Sequence, residues 1–273
     1  MLLIKKAIVP SLLCDNEWIF TFIWDSISRI QFMYTGGKVK ISVLILSLMA
    51  ISNWGYSQNE EITIRFISNC GLHITDGNAN IYVDFPYRSG AFIYDEFDRA
   101  EIDSIQDSSI FLFTHTHGDH YSRKNMKYVL KHKKGKKYGK WNIDSLVNLE
   151  SELTDFKIVA IKNKHNFSFA HYSYCITWHG KRIFIAGDAE STETVLRQKE
   201  LDWAFIPGWI FIAVLDEKKE IDTKMMGIYH IGPKDSIKII HPKVLVLNKQ
   251  GELITISNSN SMPDRNKKEI NLE

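Results

Sequence analysis

Four potential metal ligands lie within six consecutive positions of this chain, in the motif His-Thr-His-Gly-Asp-His at residues 115–120. The motif follows directly on an apolar run, residues 110–113, which is typical of a buried strand. Because alternate side chains of a strand share one face, His115 and His117 are expected side by side where the strand ends. A turn at the glycine would then bring Asp119 and His120 back to the same point. Neutral imidazoles and a carboxylate suit zinc and similar first-row ions, so the motif predicts a metal site.

The alternative is a chance cluster of histidines in a solvated loop. Burial of imidazoles without partners costs free energy. A dense cluster at the end of an apolar strand therefore favours metal ligands.

The motif resembles the signature of the metallo-β-lactamase superfamily, a group of metal-dependent hydrolases with an αββα sandwich. The resemblance extends from about residue 62 to about residue 247. It implies an α/β fold of four layers, in which two sheets lie between two layers of helices. It also implies that His115, His117, Asp119 and His120 bind metal ions. Asp119 is expected to be catalytic as well, since it could orient the nucleophile and then pass a proton to the leaving group.

Two further strand ends resemble the superfamily pattern. An apolar run ends in a glycine and Asp188, and the resemblance implies that this carboxylate bridges two metal ions. A bridging anion offsets the repulsion between two divalent ions about 3.5–4 Å apart. The alternative is that Asp188 caps a helix that begins near Glu190. At the end of residues 79–84, Asp84 would lie beneath the site and hold the ligand loop through hydrogen bonds, or else cap a surface turn before Pro86.

A third histidine is expected between residues 156 and 173, and two candidates are present there. His165 follows the strand predicted at residues 156–161, where a loop could direct it at the site. His171 lies nearer the start of the next strand. In exported relatives the metal-binding histidine precedes that strand by several residues. The comparison favours His165 and keeps His171 as the alternative.

The superfamily usually ends a late strand with a histidine that completes the second metal site. Here the strand predicted at residues 243–247 ends in Asn248, and an amide oxygen is a poor zinc ligand beside imidazole. His230 and His241 are nearby in sequence, but His241 precedes the strand and should point away. The second site is therefore expected to be weak, empty or completed by water. The predicted metal ligands are His115, His117, Asp119, His120, His165 and Asp188.

The composition is that of one globular domain. The chain has 273 residues, of which 44% are hydrophobic and 24% charged, enough for a full core. A net charge of +2 gives no reason to expect a nucleic-acid or membrane partner, so the expected partner is a small-molecule substrate. The 3 cysteines form no C-x-x-C pair, which excludes a thiolate zinc site. Cys70 and Cys175 could pair or remain separate thiols.

The first 57 residues are not expected to belong to this domain. Two lysines precede an apolar run at residues 41–51, and small residues stand at positions 55 and 57, a pattern typical of a secretory signal peptide. The run is shorter than the about 20 residues of a membrane span. The sequence predicts a signal peptide over residues 33–57 and an exported protein, periplasmic or secreted; an uncleaved anchor is the alternative. Translation from Met33 would make residues 1–32 a misassigned upstream extension.

The remaining chain is expected to divide into a hydrolase domain, residues 58–251, and a polar tail, residues 252–273. Within the domain, residues 131–140 are strongly basic. This run could bind an anionic substrate, but a solvated surface loop is the better interpretation because the whole chain is nearly neutral.

The expected activity is hydrolysis by a zinc-activated water, with one or two Zn²⁺ ions as cofactor. Zinc lowers the pKa of bound water from about 15.7 to about 7, which gives hydroxide at neutral pH. The bond attacked would belong to an ester, lactone, amide or phosphodiester. Two alternatives remain: a non-haem iron oxidoreductase with the same ligands, and a non-catalytic exported binding protein, which Asn248 suggests. The sequence has no G-x-S-x-G elbow, P-loop or G-x-G-x-x-G motif.

Overall fold

The computed structural model describes residues 61–94, 96–232 and 241–257. The predicted upstream extension (1–32) and signal peptide (33–57) lie outside the described residues, as does the tail from residue 258 onward. None of the helices in the described ranges combines the length and apolar content that a membrane crossing requires.

The first sheet has six strands in the order β12-β1-β2-β3-β4-β5. Strands β1 to β3 pair antiparallel, whereas β4 and β5 run parallel to β3. Asp76 stabilises the β2–β3 turn, since its Oδ1 accepts hydrogen bonds from the backbone N–H groups of Asn78 and Ala79. The strands are β1 (Ile62–Ser68), β2 (Gly71–Thr75), β3 (Asn80–Val83), β4 (Ile110–Leu112), β5 (Lys136–Tyr138) and β12 (Leu253–Ile256).

The second sheet also has six strands, in the order β11-β10-β9-β8-β7-β6. Strands β6, β7 and β8 form an antiparallel meander, and β8 to β11 are parallel. The strands are β6 (Phe156–His165), β7 (Ser168–Trp178), β8 (Lys181–Ile185), β9 (Leu201–Pro207), β10 (Thr223–Tyr229) and β11 (Val244–Val246).

Short helices join the strands. Ser122 is the N-cap of the longest of them, since its side chain accepts a hydrogen bond from the backbone N–H of Asn125. The helices are α1 (Ala100–Asp103), α2 (Arg123–Lys133), α3 (Leu149–Glu152), α4 (Glu193–Leu196) and α5 (Gly208–Asp216), with 3-10 turns at Ala91–Ile93 and Ile143–Asn148.

The layers follow from the alternation of side chains along the strands. In β4, Ile110 and Leu112 enter the core between the two sheets, while Phe111 faces outward and packs with Met126 of α2. On the second sheet, Phe184 faces outward into a separate cluster that includes residues of α5. Helices thus cover the outer faces of two packed sheets, and the predicted αββα sandwich is confirmed.

Three strands were missed by sequence reasoning. Strand β5 lies in the basic run expected to be a loop; its lysines hide the strand, which lies at the sheet edge. Strand β12 lies in the predicted polar tail (252–273), so the domain boundary at residue 251 is too early. Ile254 and Ile256 are buried, and β12 pairs with β1. The third, β10, bears on the metal site.

Candidate metal centre

The predicted ligands come from strand ends of both sheets and meet at one edge of the sandwich. His115, His117, Asp119 and His120 follow β4, and His165 is the last residue of β6. Asp188 follows β8 after a glycine with a positive φ of 59°. A side chain at Gly187 would lie 2.7 Å from His171 Nε2, so the turn that places Asp188 needs glycine.

Three imidazoles form the first group, the three-histidine cluster of His115, His117 and His165. The Nε2 atom of His165 lies 3.2 Å from Nδ1 of His117. The ring centre of His115 lies 4.6 Å from that of His117 and 4.7 Å from that of His165. The ligand atoms of all three lie within 4.8 Å of one another, close enough for one metal ion.

Two carboxylates and two imidazoles form the second group, the aspartate–histidine cluster of Asp119, His120, Asp188 and His230. His230 Nε2 lies 3.2 Å from Asp119 Oδ2 and 3.4 Å from Asp188 Oδ1. His120 Nε2 lies 3.0 Å from the same oxygen of Asp188. All four residues are buried.

Asp188 joins the two clusters. Its Oδ1 faces the aspartate–histidine cluster, whereas its Oδ2 lies 3.7 Å from Nε2 of His115 and 3.7 Å from Nε2 of His165. The side chain is therefore placed to bridge two ions. It does not cap a helix, since the N-cap of α4 is Thr192.

His230 is the ligand candidate that sequence reasoning did not place. It follows β10, in the second sheet, and its imidazole is 2% exposed. The expectation that Asn248 stands where the last histidine should be has to be corrected, because Asn248 is exposed at the end of the neighbouring strand. The second cluster has four side chains rather than three. The signal that could have found His230 is the short apolar run at residues 225–229 directly before it.

Asp84 holds the ligand loop from below. It is fully buried, and its carboxylate accepts hydrogen bonds from the backbone N–H and the hydroxyl of Thr114 (both 2.8 Å). Its Oδ2 also lies 2.9 Å from Nδ1 of His120. A carboxylate on the far ring nitrogen orients a ligand histidine and makes its free nitrogen a better donor to a metal.

His171 lies close to the three-histidine cluster but has another role. Its Nε2 accepts a hydrogen bond from the backbone N–H of Asp188 at 2.8 Å. Burial lowers the pKa of His171 to about 3, so the ring is neutral and can act as an acceptor. His171 therefore fixes the Asp188 turn, and His165 is the ligand candidate.

The donor atoms fit divalent metal ions. Among the described residues, His115 Nε2 and Asp119 Oδ1 are buried without a hydrogen bond. Buried polar atoms are rarely left unpaired in native proteins, and metal coordination is one way to satisfy them. A set of imidazoles and carboxylates suits zinc, and also iron or manganese.

Charge in the two clusters is arranged differently. Burial lowers the pKa of His115 and of His165, so these imidazoles are neutral. In the other cluster, burial is the largest single effect and acts in the same direction, but Asp188 and the other acidic neighbours together outweigh it. The pKa of His120 and of His230 is therefore raised. The pKa of Asp188 is well below its usual range, because the two imidazoles outweigh the opposing effect of burial.

Cys70 lies beside the second cluster. Its Sγ is 3.3 Å from Nδ1 of His120 and 3.5 Å from the backbone oxygen of Asp119. Burial raises the pKa of the thiol, so it stays protonated. Cys70 and Cys175 are both free and buried, so the structure does not contain the disulfide that was considered.

No protein-family model matches the chain, and no curated protein matches it either. Solved structures do match. Igni18, a metallo hydrolase from the archaeon Ignicoccus hospitalis, is 14% identical; the match covers 73% of the present chain and 100% of that chain, with a TM-score of 0.53. The metallo-β-lactamase fold protein YhfI from Bacillus subtilis is 11% identical, with coverage of 71% and 99% and a TM-score of 0.50. With the two-sheet sandwich and the histidine motif, these likenesses show that the chain has the metallo-β-lactamase fold.

Proposed function

We propose that the protein is a hydrolase that uses two divalent metal ions, Zn²⁺ by the nature of its ligands, to activate water. The bond attacked belongs to an ester, lactone, amide or phosphodiester. The position of Asp188 carries the proposal, since one carboxylate oxygen faces each cluster. A carboxylate shared by two sets of donors suits a two-metal hydrolase, since its negative charge offsets the repulsion between two closely spaced ions.

The chain's own residues supply the proton transfers. Bound ions would lower the pKa of a water and polarise the scissile group. Asp119 is the base that we assign, because its Oδ2 contacts His230 at 3.2 Å while its buried Oδ1 has no hydrogen bond with a described residue. Oδ1 can accept the proton of the attacking water and return it to the leaving group.

The partly exposed rings of His117 and His165 mark the open side of the site, where substrate and water enter. His230 bears on the alternative of a non-catalytic binding protein. That reading depended on Asn248 in place of a histidine, and His230 removes the reason for it.

Metal analysis of the purified protein, followed by assays on esters, lactones and phosphodiesters, tests the proposal. Two zinc equivalents per chain are expected, with activity lost on chelation and restored by zinc. His115→Ala should lose metal and activity, whereas His132→Ala, at an exposed position on α2, should lose neither. Absence of stoichiometric metal would refute the proposal, and iron with oxygen consumption would favour an oxidoreductase instead.

A further inference from the structure

Large apolar side chains are exposed on two segments near the metal centre. Phe167 and Phe169, at the β6–β7 hairpin, are 97% and 104% exposed. Phe92 and Ile93, in the 3-10 turn Ala91–Ile93, are 63% and 76% exposed. Exposed apolar surface of this kind often marks a binding site.

Both segments border the ligand clusters. The backbone oxygen of Phe167 lies 3.4 Å from Nε2 of His117, and the same hairpin carries His165. The 3-10 turn leads directly into Tyr94, whose ring packs edge-on against His230 with 4.4 Å between ring centres. The two segments that carry the exposed apolar side chains are thus adjacent to the site.

Trp209 is the second aromatic residue that packs against His230. Its ring centre is 5.1 Å from that of His230, and its Nε1 donates a hydrogen bond to the backbone oxygen of Ala189 at 3.0 Å. The hydrogen bond fixes the indole, and yet the side chain is still 39% exposed. A fixed, half-exposed ring beside a metal-ligand candidate offers an apolar surface to a substrate. Because the ring is already fixed, binding costs little further side-chain entropy.

We infer that the substrate carries an apolar acyl or aryl group, and that Tyr94 and Trp209 determine the specificity for it. The reaction assigned to that substrate rests on the proposed function, but the binding preference does not. A small molecule is the occupant that the geometry favours, because both rings pack directly against His230, a ligand candidate of the metal centre.

Carboxylate binding to the zinc-loaded protein tests the inference, with acetate and hexanoate as probes in calorimetry. Hexanoate should bind about tenfold more tightly, which is only part of the gain for four fully buried methylenes. Trp209→Ala or Tyr94→Ala should reduce the preference to about twofold. Tyr94→Phe should keep it, and so should Trp141→Ala, since that tryptophan is equally exposed (41%) but packs on Tyr121.

Hydrolysis of p-nitrophenyl acetate and p-nitrophenyl hexanoate separates this inference from the proposed function. Both esters are used at concentrations at which they do not aggregate. If hexanoate binds more tightly but neither ester is hydrolysed, this inference stands and the proposed hydrolase function is contradicted. Equal use of both esters, or a preference that survives both alanine variants with metal content unchanged, would overturn the inference. Sedimentation with neutral phospholipid vesicles, or a dimer that dissociates on Phe167→Ser, would assign the apolar surface to a membrane or a second copy and overturn it as well.

Discussion

The three-histidine cluster and the aspartate–histidine cluster share Asp188 but differ in exposure. In the first, His117 and His165 are partly exposed, and His165 is the last residue of a hairpin strand. In the second, all four side chains are buried, and Asp84 supports His120 from below. The first cluster is thus the side that is open to solvent and, under the proposed function, to substrate, whereas the second is enclosed.

The clusters also differ in protonation. His115 and His165 of the first are neutral before any ion binds, whereas the raised pKa values of His120 and His230 keep protons in the second. An ion that enters the second cluster must displace those protons. The metal affinities of the two clusters should therefore depend differently on pH. The affinity of the buried cluster should fall more steeply in acid.

The largest expected effect comes from the residue that the clusters share. Asp188→Asn removes the bridging charge at almost constant volume, so the ions repel and one or both are lost. Hydrolysis should fall about 1000-fold, the equivalent of several kcal/mol of transition-state stabilisation. Elemental analysis and the rate on the best substrate give the measurement. Asp107→Asn, at an exposed position, is the control and should change neither. Two ions retained in the Asp188 variant would refute the bridge.

Removal of one ligand from each cluster compares the clusters directly. His165→Gly and His230→Gly should each leave one ion and reduce hydrolysis about 100-fold, the scale for loss of one stabilising group. Because His165 is 14% exposed and His230 only 2%, added imidazole should restore metal and activity in the His165 variant alone.

Asn248→Ala is the control for this pair. It stands at the place where the last histidine was expected from sequence, but it is exposed, so its variant should keep two ions. Rescue of the His230 variant by imidazole, or loss of an ion in the Asn248 variant, would contradict the assignment of the two clusters.

The two clusters also differ in how far the sequence could predict them. Four ligand candidates lie within six residues after β4, and Asp188 ends an apolar strand, so both are visible as local patterns. His230 is less visible, because β10 lies between two parallel strands and is buried along nearly its whole length, without alternation. Its glycine weakens the strand pattern further: a side chain at Gly227 would lie 2.6 Å from the ring of Phe205. Tertiary packing, rather than local preference, fixes that strand.

A smaller effect is expected from the support beneath the buried cluster. Asp84→Asn keeps the shape but weakens the contact with Nδ1 of His120, and loss of such a contact typically lowers metal affinity about 10- to 100-fold. Competition with a chelator should show this loss of affinity mainly for the ion of the aspartate–histidine cluster. Asp76→Asn, which alters a turn far along the β2–β3 hairpin, is the control. Equal weakening of both ions would mean that Asp84 supports the whole loop through Thr114 instead.

The smallest effect separates a positioning residue from a ligand. His171→Ala leaves the buried N–H of Asp188 without an acceptor, which should cost about 1–3 kcal/mol of unfolding free energy. Both ions should still bind, since His171 Nε2 is occupied by that hydrogen bond. His171→Gln offers a side-chain oxygen in nearly the same place and should recover part of the loss. Denaturant unfolding with metal analysis gives both readouts. An ion missing from His171→Ala but present in His165→Ala would reverse the assignment, because the open cluster would then take its third imidazole from β7 rather than from the end of β6.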